Sequence, residues 1–304
     1  MKKWQRLLVL IVLTLVTMSF AIACNGNTGG DNGNGKIKVG SKNFPEQLIL
    51  GEIYALALKN RGLPVERKLN LGGTSVAQTA IENGEIDLYP EYTGTGLIAV
   101  LKEPIQSNPQ QVYQVVARGY KEKFNLVWLK PAPMNSTQAL VMTQEASENY
   151  QITTISQMVN QANNLIMVGN SEFEIRKDGL PGLKQNYGDF QLKKYLSVDT
   201  QSRSKILGNG KADVAVTFGT DGEISAFNLV VLQDDKKVFP PYQVAPIVRQ
   251  ETLTKYPEIA DVLNALAPKL TSETMQKLNY QVTGERKDPA NVAKEFLTQE
   301  GIIK

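Results

Sequence analysis

Two stretches of this chain pair an Asn-Gly step with a short apolar run and an aromatic residue before a Thr/Gly turn. The first is Asn83-Gly84-Glu85-Ile86-Asp87-Leu88-Tyr89-Pro90-Glu91-Tyr92-Thr93-Gly94-Thr95-Gly96. The second is Asn209-Gly210-Lys211-Ala212-Asp213-Val214-Ala215-Val216-Thr217-Phe218-Gly219-Thr220-Asp221-Gly222. Tyr92 and Phe218 each stand nine residues after the Asn of their Asn-Gly pair. Gly at a helix C-terminus accommodates a left-handed turn, so each stretch reads as helix end, short buried strand, loop and new helix. The amides opening that helix are free to meet something negative. An aromatic face at the carboxyl end of a strand, in two similar lobes, is a place where small ligands sit in α/β sheets. The plainer reading, that helix, Asn-Gly and strand form a common join, is decided by the rest of the chain.

Composition narrows the chemistry. There is no histidine among the 304 residues, which removes Ser-His-Asp and Cys-His nucleophiles, histidine general bases and most zinc sites. The single cysteine, Cys24, allows no disulfide framework and no CxxC metal or redox pair. No cofactor is expected. A carboxylate pair such as Glu91 with Asp221 is the remaining enzymatic option, and nothing in the spacing singles it out. A purely structural lipoprotein is disfavoured by the duplicated loops.

The elements that must position these residues begin after a targeting segment. Lys2, Lys3 and Arg6 form a basic start, seventeen uncharged residues run from Leu7 to Ala23, and Ala21 and Ala23 precede Cys24. Residues 1–23 read as a signal peptide, and Cys24 after Ala-Ile-Ala resembles a bacterial lipobox. A membrane-spanning anchor would be at the short edge of the usual range. Residues 24–35 then form a lipidated cysteine and a Gly/Asn tether. The three signal cations account for the whole excess of 33 Lys+Arg over 30 Asp+Glu. The remainder is neutral, with no electrostatic case for nucleic acid.

From Ile37 the pattern alternates β and α, which predicts a mostly parallel sheet. The strand Ile37–Gly40 leads to a loop with Lys42, and Pro45 opens a helix. A strand over 65–71 leads to Gly72-Gly73-Thr74-Ser75, and the Tyr92 loop follows. Lys42, Thr74 and Tyr92 therefore share one sheet edge. The connector Lys130-Pro131-Ala132-Pro133 precedes a second β/α series: strands at 138–143, 165–168, 213–218 and 229–232, a loop over 169–178 and a helix near 180–187. The passage Phe239-Pro240-Pro241-Tyr242-Gln243-Val244-Ala245-Pro246 follows, and after it only helices, near 257–268, 272–283 and 289–300. Two proline-bearing crossings predict a two-lobed α/β body with lobe 1 at 36–135 and 244–304, lobe 2 at 136–243, a cleft as ligand site and the crossings as hinge.

The runs Gly40-Ser41-Lys42-Asn43-Phe44-Pro45-Glu46-Gln47, Gly72-Gly73-Thr74-Ser75, Asp87 to Thr95 with its Tyr-Pro-Glu-Tyr-Thr-Gly core, and Thr220-Asp221-Gly222 carry a likeness. The chain resembles the substrate-binding proteins of osmoprotectant ABC transporters, of the ProX/OpuBC/OsmF type, which take up glycine betaine, carnitine, choline and related solutes. The resemblance implies the two-lobed periplasmic-binding-protein fold, type II-like, that closes on its ligand. A quaternary ammonium has no N–H to donate and is held by the faces of aromatic rings. By motif, the resemblance implies Tyr92, Phe218 and Tyr242 as cage walls, Lys42 and Thr95, with the Thr74 loop beside them, at the carboxylate end in lobe 1, and Arg176 as the partner from lobe 2. Three positions depart: Gln138 stands where an aromatic is frequent, Ser136 where Asp or Asn is usual, and Phe218 where Tyr is common. Losing one desolvated ring could cost about 2 kcal/mol, roughly thirtyfold in affinity. The ligand is thus a betaine-like solute or, with Gln138 as a new contact, an amino acid or heteroaromatic betaine. The implied partners are an ABC permease/ATPase and, through Cys24, a membrane. The chain would act as a monomer, lipid-anchored on the outer face of the cytoplasmic membrane or in the periplasm.

Overall fold

A computed structural model describes residues 35–175, 178–198 and 202–304. Cys24, the signal segment and Arg176 lie outside the described residues. From Ile37 onward the described residues form two five-stranded sheets with matching strand patterns.

The first sheet is built from β1 (Ile37–Gly40), β2 (Val65–Lys68), β3 (Leu88–Tyr92), β4 (Leu126–Trp128) and β10 (Val244–Arg249), in the order β2-β1-β3-β10-β4. The helices α1 (Pro45–Asn60), α2 (Thr74–Glu82), the single turn α3 (Thr93–Thr95), which runs on as a π-helical Gly96–Val100, and α4 (Pro109–Phe124) lie between its strands in sequence. The second sheet contains β5 (Gln138–Met142), β6 (Ile166–Gly169), β7 (Lys194–Ser197), β8 (Val214–Phe218) and β9 (Val230–Val231), ordered β7-β6-β8-β5-β9. Its helices are α5 (Gln144–Tyr150), α6 (Ile155–Asn160), α7 (Ser171–Ile175), α8 (Leu180–Tyr187), α9 (Arg203–Gly208) and α10 (Gly222–Ala226). The chain ends in α11 (Gln250–Lys255), α12 (Glu258–Leu266), α13 (Ser272–Thr283) and α14 (Pro289–Gln299).

The fourth strand of each order, β10 or β5, runs antiparallel to both neighbours, and the others are parallel. Each antiparallel strand is the one entered directly from a crossing. The mostly parallel expectation therefore holds, with one reversed strand per sheet. Each sheet is covered on both faces. Ile49, Leu50, Ile53, Leu263 and Phe296 fill one side of the first sheet, and Ile81, Val112, Val116 and Tyr120 the other. The second sheet separates the cluster of Leu140, Met167, Phe173 and Leu183 from that of Val168, Leu207 and Ile224.

Several boundaries differ from the sequence reading. The stretch after the second proline passage is not helical at once, because β10 intervenes. Pro246 lies within it, opposite Pro90 of β3. The Thr93 N–H donates to Gln243 O at 2.9 Å and the Arg249 N–H to Asp87 O at 3.0 Å. Because hydrogen-bonded and non-bonded pairs alternate along the ladder, the two prolines fall on a non-bonded pair, where β3 and β10 ask neither for an N–H. β2 stops at Lys68, short of Leu71. The 169–178 loop contains α7, and β7 was not foreseen: its Lys194 and Ser197 are exposed and leave little apolar alternation to read.

Candidate functional site

The carboxyl edge of the first sheet gathers the predicted residues of lobe 1 around a buried ion pair. Lys42, 3 % exposed, lies 2.6 Å from Glu91 Oε1, and its Nζ also donates to Thr74 Oγ1 at 2.9 Å. The same ammonium sits 5.4 Å from the centroid of the Tyr92 ring. Glu91 is tied down further: Oε1 accepts from the Tyr92 N–H at 2.6 Å and Oε2 from the Tyr89 hydroxyl at 3.1 Å. The Gln47 amide oxygen accepts the Lys42 backbone N–H at 3.2 Å, which fixes the loop against the first turn of α1. Loops after β1, β2 and β3 thus converge, as their sequence positions imply.

Tyr92 ends β3 rather than lying in a loop, and it is nearly buried, at 5 % exposure. Its hydroxyl donates to Glu46 Oε1 at 2.7 Å, and its ring stacks on Phe44 with centroids 6.3 Å apart and planes 18° from parallel. Burial and the neighbouring Glu46 carboxyl push the Tyr92 phenol well above its ordinary value. Thr95, one turn on, is half-buried in α3.

On the second sheet, Phe218 ends β8 as Tyr92 ends β3, and Gln138 opens β5 directly across from it. The Phe218 ring is 37 % exposed and lies 5.8 Å from the buried Arg203 guanidinium. Gln138 Nε2 reaches Asp178 Oδ2 at 3.4 Å, a long contact that puts a carboxyl beside the amide facing Phe218 across the ladder. Asp221 turns back on the strand end, accepting from the Phe218 N–H at 3.1 Å, from the Thr217 hydroxyl and from Arg203 at 3.3 Å. Glu91 and Asp221 are each held by several donors, Glu91 by Lys42, Tyr92 and Tyr89 and Asp221 by Arg203, Thr217 and Phe218.

The two crossings run side by side. Ser136 donates its N–H to Tyr242 O at 3.1 Å, and the Tyr242 N–H donates to Asn135 Oδ1 at 2.7 Å. The Thr137 hydroxyl donates to Pro240 O at 2.6 Å. Tyr242 is half-buried and its ring lies over Gly94, where a Cβ would stand 2.9 Å from two ring carbons. The absence of a side chain at Gly94 thus admits the ring beside α3. Ser136 shares a 2.8 Å hydrogen bond with the Thr220 hydroxyl.

A third set of contacts was not legible. Asn279 of α13 donates to Glu46 Oε2 at 2.8 Å and to Thr220 O at 2.7 Å, and Gln276 donates to Gly219 O at 2.9 Å. Here the C-terminal helices, the first turn of α1 and the loop after β8 meet. Gly222 fits because a Cβ there would come within 2.5 Å of the Tyr280 backbone nitrogen. Burial raises the Glu46 carboxyl above its ordinary value, against the lowering effect of hydrogen bonds from Thr220, Tyr92 and Asn279. Glu46 carried a signal, since it opens α1 beside Lys42. Asn279 carried none, because a lone Asn in a C-terminal amphipathic helix looks like surface. Among the described residues no cluster of acidic or sulfur side chains could hold a metal ion, and no helix is long and apolar enough to cross a membrane.

The model of the family "Substrate binding domain of ABC-type glycine betaine transport system" matches residues 35–299. The chain belongs to that family. Its members are the extracytoplasmic substrate-binding components of ABC importers. The chain is 34 % identical over 289 residues to the carnitine transport binding protein OpuCC of Listeria monocytogenes, covering 94 % of each chain. It is 36 % identical over 265 residues to the ergothioneine transport permease/ergothioneine binding protein EgtU of Helicobacter pylori, covering 87 % of this chain and 47 % of that one, so it spans about half of that relative. Among solved structures, a glycine betaine/carnitine/choline ABC transporter protein superposes with a TM-score of 0.84 at 29 % identity, covering 88 % of this chain and all of the other. These neighbours are two-lobed binding proteins, and the paired sheets here follow the same plan.

Proposed function

We propose that this protein captures a quaternary-ammonium, betaine-type solute between its two lobes and delivers it to an ABC permease. One observation carries the reading: in a chain that matches this family over residues 35–299, both sheets end at their carboxyl edge on an aromatic residue, Tyr92 and Phe218. Tyr242 adds a third ring from the second crossing. Lobe 1 comprises 36–135 and 244–304, lobe 2 comprises 136–243, and the paired connecting segments around Ser136 and Tyr242 form the hinge. Ring faces attract a cation that cannot hydrogen-bond, most strongly where water is excluded.

The carboxylate end of the solute meets Thr74, Thr95 and Lys42 from lobe 1 and Arg176 from lobe 2. Lys42 contributes less than a free cation would. An ammonium has three donors; Glu91 and Thr74 take two and leave one for a ligand. Glu91 also cancels its charge. Ser136 lines the hinge side. Binding shifts the lobes toward a closed form that the transporter reads. Cys24 carries the lipid anchor, the glycine-rich tether spans from it to the body, and the protein acts as a monomer.

A second reading draws on Gln138 beside Asp178, a polar wall where a ring would complete a simple cage. That wall favours a betaine that also carries an N–H-bearing ring, and the name of the Helicobacter relative points to such a compound, ergothioneine. Calorimetry with glycine betaine, choline, carnitine and ergothioneine separates the two. Tight binding of the small betaines supports the first. Binding of ergothioneine alone, lost on Gln138→Ala, supports the second, and no heat with any of them at millimolar ligand refutes both. Loss of a palmitate-analogue label on Cys24→Ser tests the anchor.

A further inference from the structure

We infer that Phe44 is the ring lobe 1 presents to the bound cation, with Tyr92 as its support from behind; the inference rests on the betaine reading above. Phe44 occupies the N-cap of α1, with extended backbone angles of φ −137° and ψ 158° and no side-chain cap bond. That position favours Ser, Thr, Asp or Asn, whose oxygen takes up a free amide of the first turn. A phenyl ring gives up this bond. Nor is the ring packed away on all sides: it stays 38 % exposed while its neighbours Lys42, Glu46 and Gln47 are buried.

The ring's orientation is nonetheless set. It lies nearly parallel to Tyr92, 18° between planes. Tyr92 is itself immobilised, its hydroxyl on Glu46 and its backbone N–H on Glu91. The Lys42 ammonium 5.4 Å from the Tyr92 ring is already a cation at that ring, and the 5 % exposure of Tyr92 leaves it little surface for another. Phe44 is therefore the accessible member of the stack. Phe218 of lobe 2 has nearly the same exposure, 37 %. One half-exposed phenyl from each lobe, each at a sheet's carboxyl edge, is what a trimethylammonium group needs to be gripped from two sides, because it is recognised by ring faces and not by acceptors. Phe44 has the further effect of selecting for positive charge: a ring attracts a cation more than an uncharged group of the same shape, whereas an aliphatic side chain does not distinguish them.

The test uses purified protein and two probes of one shape, glycine betaine and tert-butylacetate, in which carbon replaces the charged nitrogen. Calorimetry is run on wild type, Phe44→Leu, Phe44→Ala and Phe44→Tyr, with melting temperatures as a folding control. The expected result is that Phe44→Ala and Phe44→Leu each weaken glycine betaine about tenfold. Phe44→Tyr stays near wild type, Phe44→Leu narrows the preference for glycine betaine over tert-butylacetate, and all melt within a few degrees of wild type. Wild-type affinity in Phe44→Leu, or equal loss of both probes, overturns the inference while leaving the betaine reading intact. If wild type binds neither glycine betaine nor choline, the betaine reading fails and this inference falls with it.

Discussion

Removing Lys42 should destabilise the protein far more than loss of a surface cation would. Its Nζ lies 2.6 Å from Glu91 Oε1, and the two side chains are 3 % and 0 % exposed. In Lys42→Met the Glu91 carboxylate keeps the Tyr92 N–H and the Tyr89 hydroxyl but loses its counter-charge. Breaking one side of a buried pair costs roughly 3–5 kcal/mol, against about 0–1 kcal/mol for an exposed one. For a chain of this size 1 kcal/mol moves the melting temperature by about 2–4 °C, so the loss is of order 10 °C. The second arm is Lys42→Met with Glu91→Gln. The amide oxygen still accepts the Tyr92 N–H and no buried charge remains, so the double variant should recover most of the loss. Urea denaturation with linear extrapolation gives the four free energies of the cycle. A Lys42→Met cost below about 1 kcal/mol, or a double variant no better than the single, would refute the claim that Glu91 is the principal partner of Lys42.

Phe218→Ala and Tyr242→Ala should each weaken a quaternary-ammonium ligand about tenfold or more in calorimetry, with little change in the ligand-free melting temperature for the half-exposed Phe218. Glu46→Gln tests a pH dependence. Burial raises the Glu46 carboxyl above its usual 4.5, so the folded state holds this proton more tightly than the unfolded state, and the stability it contributes falls as pH rises above about 4.5 through the raised value. The variant should therefore gain on wild type between pH 4.5 and 7 and lose that advantage below it, and a constant difference across the range would contradict the assignment. Gly222→Ala would press a Cβ against the Tyr280 backbone at 2.5 Å. It should cost about 1–3 kcal/mol in denaturation, and wild-type stability would show that α10 and α13 do not meet as described.

Much of the architecture could be read from the sequence because local signals and tertiary placement agreed. Pro45 opens α1, Asn83-Gly84 closes α2, and the alternation from Ile37 to Leu101 produced the shared edge of Lys42, Thr74 and Tyr92. The parallel between Tyr92 and Phe218 reached the structure as two strand ends. Three features escaped for physical reasons. β10 contains Pro246, which argues against an interior strand; that its missing N–H is not asked for on the β3 side, where it falls on a non-bonded pair opposite Pro90, depends on a residue 156 positions away in sequence. The Lys42–Glu91 pair was not read, since nothing local says that a carboxylate near a strand end will turn onto a lysine that follows the neighbouring strand, 49 residues earlier. The Glu46, Asn279 and Thr220 contacts join three distant segments, and Asn279 looked like an ordinary surface residue. Arg176, expected to meet the carboxylate from lobe 2, lies outside the described residues.

The central claim is that a solute's positive end is held by rings contributed from both lobes. A crystal structure with glycine betaine or ergothioneine bound tests it most directly. The quaternary nitrogen is expected within about 6 Å of the ring centroids of Phe218, Tyr242 and Phe44, with no carboxylate as its nearest neighbour. A ligand whose nitrogen contacts Glu or Asp oxygens, or rings that share no cavity with it, would contradict the account.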